Sequence, residues 1–342
     1  MAREFDPPVT VVVLAYGSEP HLVRCVEAAL ASRGVRVTVV LVDNGCSNAD
    51  LSRYVKDPQV LLVSPGRNLG YAGGCNAGAA ATSDPTLIFL NSDCIVTDTA
   101  VGALVTGLDR PGVGLVTASV RLAAAPELLN SAGNPVNFLG FSWAGRCGER
   151  VQSPELPTTV ASVSGACFAI RRCRWEELDG FEDEYFAYHE DVDLSLRCWL
   201  AGLTVQYVPE AVAYHDYAFS RHAEKMYLLE RNRLVTWLTV LEYRTLVLLA
   251  PALLLAEVGT ALLAARQGWL GQKVRAWTWI LRHARWLNAR RCVASAQRRC
   301  PDRVLRDVLT PVLRPGGSGL SPAIALADAP LRAYWKVVGR CL

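Results

Sequence analysis

Several polar clusters in this chain bring together residue types that do chemistry in combination. Asn91-Ser92-Asp93 follows the apolar run Leu87 to Leu90 without a break. A carboxylate beside an amide and a hydroxyl offers hard oxygen ligands, the set that suits Mg2+ or Mn2+. A cation held there would in turn hold a diphosphate. The competing reading is an Asx turn in which Asp93 only caps the next helix. Residues 185–197 (YFAYHEDVDLSLR) crowd Glu190, Asp191 and Asp193 at a helix start, just after three aromatic rings. The helix dipole alone favours acids there, and Asp193 and Arg197 are spaced to pair at i,i+4. A carboxylate partly desolvated by aromatic rings has a raised pKa, which suits a general base. Asp43-Asn44 closes another apolar run, where a carboxylate either accepts hydrogen bonds from a base or ribose or closes a turn. The Gly-rich stretch 66–82 carries Arg67, Asn68, Gly73 and Asn76. Glycine lets backbone approach a ligand, and a helix N-terminus attracts phosphate. His215, after a further apolar strand, is either a metal ligand or a satisfied core histidine.

The elements that must position these groups follow from apolar patterning. Val9–Leu14, Val35–Val42, Val60–Val63 and the run ending at Asp93 read as strands, because β-branched apolar residues dominate them. Helical patterns at His21–Ala31 and after the Gly-rich turn alternate with them. That β-α-β-α-β order predicts a parallel, doubly wound sheet covered on both faces. Ligands of such sheets sit at the carboxyl ends of the strands. Residues 112–122 and 159–171 read as two more strands, with Ala123 to Pro157 between them as a long loop over the site. A helix is expected from Asp191 to Ala201, then a strand at Thr204–Val208 and a short one ending at Tyr214 and His215. No GxGxxG follows the first strand, so the usual dinucleotide fingerprint is absent.

The chain has 342 residues, 51% of them apolar, and a net charge of +3, which gives no general attraction for nucleic acid. No secretory signal is expected from MAREFDPPVT. Eleven cysteines without CxxC or ligand spacing suit small buried apolar side chains in a reducing compartment. After about Ser220 the character changes. Residues 222–242 are helical, and 245–256 are uniformly apolar. Through Ala265 the apolar stretch reaches spanning length, but Pro251 and Glu257 interrupt it, leaving an interfacial or re-entrant length. Trp269, Trp277, Trp279 and Trp286 are then interleaved with Arg and Lys, the pattern of a basic aromatic helix at an anionic bilayer. A helical pair packed on the domain is the alternative. The last thirty residues, with PGGSG at 315–319, read as loosely structured.

Taken in order, these clusters resemble the inverting family-two glycosyltransferases of GT-A fold, over roughly Val9 to Arg233. The subgroup most similar is rhamnosyltransferase-like. It shares N-S-D, F-x-Y-x-E-D-x-D-L and a later E-R-N-R, here Glu230 to Arg233. The resemblance implies a GT-A domain over 1–220, with a nucleotide-sugar half to about 110 and an acceptor half beyond. The apolar and basic aromatic pattern beyond it reads as a helical membrane-associating region at 221–310, followed by a loosely structured tail at 311–342. Ala15 and Tyr16 would open the nucleotide site, with Asp43 and Asn44 at the base or ribose and Arg67, Asn68, Gly73 and Asn76 in the turn. Asn91 and Ser92 would line the donor, and Asp93 with His215 would bind the metal. Gly165 and Ala166 would border the acceptor, and Asp191, with Glu190, would carry the base. Arg231 and Arg233 would face a diphosphate. Asn91 stands where the metal motif usually has an acid, so it offers a carbonyl oxygen without charge. The implied reaction moves a sugar, L-rhamnose from dTDP-rhamnose in the subgroup, onto a glycan or polyprenyl-linked acceptor, at the inner face of the plasma membrane. UDP-sugars fit the same residues. A nucleotidyltransferase would want a basic Gly-rich loop after the first strand, where AYGSEP has one Gly and no Lys or Arg. A silent sugar-nucleotide or membrane-scaffold protein would leave Glu190-Asp191 surplus. A flavodoxin-like regulator has no use for the 123–157 segment and the late His.

Overall fold

Valine-rich runs build the centre of the molecule. The computed structural model describes residues 6–47, 51–216, 223–313 and 322–342. The first half contains β1 (Pro8–Gly17), α1 (Leu22–Leu30), β2 (Arg36–Cys46), β3 (Val60–Val63), α2 (Gly70–Ala80), β4 (Thr86–Asn91), β5 (Cys94–Val96), α3 (Ala100–Leu108), β6 (Val113–Leu122), β7 (Ala125–Ser131) and β8 (Val136–Asn137). There follow β9 (Thr158–Thr159), β10 (Cys167–Arg171), α4 (Arg172–Glu177), α5 (Glu190–Leu200), β11 (Thr204–His215) and α6 (Ala223–Val240). The chain ends with α7 (Tyr243–Gln267), α8 (Leu270–Arg282), α9 (Ala284–Gln297), β12 (Leu309–Thr310) and α10 (Pro322–Cys341).

The main sheet runs in the order β3-β2-β1-β4-β10-β6-β11-β5. Successive residues of β1 serve opposite faces, as the pleat requires. Val9, Val11 and Val13 join α1 and α3 in one apolar layer, and Val12 joins α2 in the other. Gly74 and Gly78 of α2 let the helix lie directly on the sheet, since a Cβ at either would overlap Leu14 or Val12. The parallel register then sets a row of functional positions at one edge. Ala15 lies opposite Asp43, and Leu14 opposite Asn91.

The expected α/β architecture is present, with corrections. The 159–171 run is not one strand: β9 pairs with β11, and β10 enters the sheet antiparallel, between β4 and β6. Segment 123–157 is not all loop, because β7 pairs with β6 and β8 with β12. The two short strands expected at 204–215 are one strand with a register shift between Val208 and Val212. Helix α3 has no sequence signal of amphipathicity, because AVGALVTGL is apolar nearly all round and sits buried. The tail, expected to be loose, carries α10, whose Trp335 stacks on Phe138. The PGGSG stretch lies outside the described residues.

Helices α6 to α9 form a layer beside α5. Arg290 of α9 reaches Asp193 (3.1 Å) and Glu182 (3.3 Å). Lys273, wholly buried, pairs with Glu230 and with Glu257 (2.9 Å), and both carboxylates also meet Arg233. Trp277 donates to Glu257 (2.6 Å), while Trp279 packs against Trp286 and under the Arg231 guanidinium. Much of the basic aromatic pattern therefore faces inward. Helix α7 behaves differently. Val247, Leu254, Leu255, Val258, Leu262 and Leu263 are all exposed, Leu255 by 75%. Thr245, Leu249, Ala252 and Ala264, on its other side, are buried.

Candidate active site

The edge expected to hold the nucleotide sugar is built from strand ends. Tyr16, near the end of β1, is 56% exposed, next to buried Ala15. Asp43 Oδ1 accepts from the backbone N–H of Gly45 (3.2 Å) and Cys46 (3.1 Å), an Asx turn that still leaves the carboxylate partly open to solvent. Asn44 turns inward. Its amide donates to Asn68 Oδ1 (2.9 Å) and Gly70 O (3.0 Å), and its Oδ1 accepts from Leu69 N (2.7 Å). Asn44 and Asn68 thus shape the Gly-rich turn. Asn76 is likewise structural, tied to Phe181 and to Asp183 Oδ1 (2.6 Å), with Gly73 packed close to Leu69 and Asp183. Arg67 is exposed. Gly70 has φ +73, and a Cβ there would overlap the Phe186 carbonyl, so the turn needs glycine on both counts.

The two candidate metal ligands meet although they are far apart in sequence. Antiparallel pairing puts His215 opposite Cys94, and His215 Nε2 lies 3.1 Å from Asp93 Oδ1. His215 Nδ1–H donates to Asn130 Oδ1 (2.9 Å), which turns the Nε2 lone pair toward Asp93. Two acceptor atoms then face each other, and a positive charge between them, either a proton or a cation, is what that arrangement accommodates. A hard divalent cation fits the pair. Among the described residues no third His, Cys, Asp or Glu completes a cluster. Ser92 donates to Glu19 Oε2 (2.7 Å), whose carboxyl is raised by burial. Glu19 and Asn130 had no sequence signal. The Ser92 and His215 side chains that they meet lie 73 and 85 positions away.

The candidate base stands at the same edge. Asn91 N–H donates to Ala166 O (3.0 Å), and the neighbouring Gly165 N–H donates to Asp191 Oδ2 (3.2 Å). Val192 N–H holds the other oxygen (2.8 Å). Tyr71 of α2 donates to Gly165 O (2.7 Å) and so fixes that loop. Burial pushes the Asp191 carboxyl up to about 6, against the two backbone donors, yet the side chain stays partly open to solvent. A base of that pKa is mostly ionised at neutral pH and close enough to it to take a proton. Glu190 differs. It is buried, Oε2 has no partner, and desolvation followed by the Asp191 charge raises its pKa well above the ordinary value. Its burial leaves it less accessible to a substrate than Asp191, which stays partly open to solvent. Asp193 is also internal. Against the cost of burial, Arg197 and Arg290 hold its carboxyl below the usual range.

Arg231 and Arg233 do not reach this edge as free cations. Arg231 Nη2 donates to the carbonyls of Glu184 (2.5 Å) and Tyr185 (3.0 Å). Arg233 donates to Leu139 O (3.0 Å) and to Glu230 and Glu257. Both are nearly inaccessible, so the diphosphate role expected for them is not supported by their position. The eleven cysteines include Cys25, Cys75, Cys94, Cys167 and Cys198 as buried residues of the core, with Cys46 half-buried.

A family model described as glycosyltransferase-like family 2 matches residues 7–236. The N-acetylglucosaminyl-diphospho-decaprenol L-rhamnosyltransferase of Mycobacterium tuberculosis (strain ATCC 25618 / H37Rv) is 31% identical over 241 residues, covering 61% of this chain and 76% of that protein. Among solved structures, GalNAc-T7 with UDP, GalNAc and Mn2+ superimposes with a TM-score of 0.58 at 17% identity, over 70% of this chain and 49% of that one. Mannosyltransferase PcManGT of Pyrobaculum calidifontis, with GDP-Man and Mn2+, gives 0.51 at 15% identity, over 99% of this chain and 87% of that one.

Proposed function

The chain belongs to glycosyltransferase family 2, with a GT-A domain and a rhamnosyltransferase-like sequence, and on that premise we propose that it transfers a sugar with inversion from a nucleotide diphosphate to a cell-envelope glycan. The observation that carries the reading is the placement of Asp191. It is held by Gly165 and Val192, one residue from the Ala166–Asn91 contact that leads to Asp93.

Asp191 takes the proton of the acceptor hydroxyl as that oxygen attacks the anomeric carbon. The Gly165 and Val192 N–H groups keep the carboxylate aimed. Asp93 and His215 would hold Mg2+ or Mn2+, which when bound supplies positive charge to a leaving diphosphate. Mn2+ in two structures of this fold supports that choice. On the donor side, Tyr16, Arg67 and Asn68 are exposed and Asp43 is partly exposed.

L-rhamnose from dTDP-rhamnose is the donor best supported, through the subgroup resemblance and the mycobacterial relative's name. The same name supports a polyprenyl-diphosphate-linked acceptor. Transfer assays with a nucleotide-sugar panel, with and without Mn2+, test this. Product of inverted anomeric configuration, formed from dTDP-rhamnose and dependent on the cation, is expected. Rates that stay at background for every donor would contradict the transferase reading itself.

The reading has the enzyme on the cytoplasmic leaflet, docked through α7. Arg244, Pro251, Leu255, Leu262 and Arg266 fall on one line of that helix, by its 3.6-residue period. The apolar stripe thus has an exposed cation at each end, matched to an anionic bilayer surface. The opposite side packs on the protein, and Glu257 is paired with Arg233 and Lys273. That supports a helix lying in the interface, since crossing would take this ion cluster into hydrocarbon. Flotation with anionic vesicles should capture the protein, and Leu255→Glu with Leu262→Glu should release it while transfer to a soluble acceptor continues.

A further inference from the structure

We infer that Asn232, with Arg231, is a positioning residue for the base: it clamps the 184–189 segment whose end launches Asp191. The inference rests on the reading of Asp191 as base. The segment leading into α5 is held in an unfavourable backbone. Phe186, Tyr188 and His189 have φ of 62°, 69° and 74°, a region that non-glycine residues rarely adopt. Such a run relaxes unless its surroundings over-determine it.

Asn232 does much of that work. Its amide nitrogen lies within donor range of three carbonyls, Tyr185 (3.0 Å), Ala187 (2.9 Å) and Tyr188 (2.6 Å). Arg231 Nε donates to Asn232 Oδ1 (2.8 Å), which fixes which end of the amide faces the carbonyls. Arg231 Nη2 adds Glu184 O and Tyr185 O. Asn232 is 1% exposed. From the far side, Phe186 O accepts from Ala72 N (3.1 Å) beside the Gly70 turn. The segment is therefore fixed between α6 and the donor-side turn, and it ends at His189, the left-handed residue that starts α5 two positions before Asp191. An aspartate at 232 would set a carboxylate against three carbonyl oxygens, so the amide is required by its donors, not its shape.

Steady-state kinetics and hydrogen exchange on the full chain test this, with Asn232→Ala and Arg231→Lys as separate variants so that one remains if the other fails to fold. The expected result is a kcat loss of about 100-fold, the scale of a misaligned reacting group. Donor KM should stay within about threefold, with faster exchange confined to amides 186–192. A kcat within about threefold of the parent would overturn the inference. So would loss of protection spread through the domain with donor binding falling in parallel, which is a general folding role. Absence of transfer by the parent chain would count against the transferase reading instead, and the exchange data would then decide the clamp alone.

Discussion

The strand-end edge and the α6–α9 layer both carry charged residues and aromatic rings, yet they use them oppositely. At the edge, Asp43, Asp93 and Asp191 keep their carboxylates partly open, at the ends of strands or the start of a helix. In the helical layer, Lys273, Arg233, Arg290 and Arg291 are buried against carboxylates and carbonyls. A charge at a strand's carboxyl end is placed by the sheet, so sequence position reports its exposure. A charge on a helix can face either way, and only its tertiary partners decide which. The contrast separates groups available to substrate from groups that hold the scaffold.

Breaking the edge should cost activity with little stability. Asp93→Ala or His215→Ala is expected to lower kcat/KM by about 100-fold or more. Each should raise the Mn2+ concentration needed for half-activity, with the melting temperature nearly unchanged. A variant with parental metal response would remove Asp93 and His215 from the ligand role. Breaking the helical layer should do the reverse. Lys273→Met leaves Glu230 and Glu257 with one fewer cation in a buried cluster, a change expected to cost about 3 kcal/mol. Urea unfolding reads that loss, and an unchanged midpoint would mean the cluster is not coupled to folding. Gly70→Ala sharpens the border between the two regions, because it strains the turn and pushes on Phe186 O. About 2 kcal/mol of destabilisation is expected, together with weaker donor binding, and calorimetry with the nucleotide separates the two.

The sequence made the edge legible because its signals are local. Apolar runs such as TLIFLNSD end where the sheet ends, and alternation with helices fixes their direction. The antiparallel entry of β10 was not legible, since an apolar run carries no sign of direction. Glu19 and Asn130 were hidden because each acts through a partner remote in sequence. Arg231 and Arg233 read as ligands for phosphate because composition cannot show that backbone carbonyls hold Arg231 and that Glu230 and Glu257 hold Arg233. The tail helix was masked by its Pro- and Gly-rich approach, although Trp335 and Val338 pack on the core.

The central claim is that Asp191, alone of its acidic cluster, takes a proton from the acceptor. Burial raises its carboxyl to about 6, and the ionised form is the active one, so transfer should fall as pH drops through that value and level off above it. The most direct measurement is the rate–pH profile of the parent beside Asp191→Asn, with donor binding measured on both. A loss of about 1,000-fold or more in the variant, with donor affinity within about threefold and an acid limb near 6 in the parent, is the predicted result. A variant that still transfers at a rate near the parent's, with the same acid limb, would contradict it.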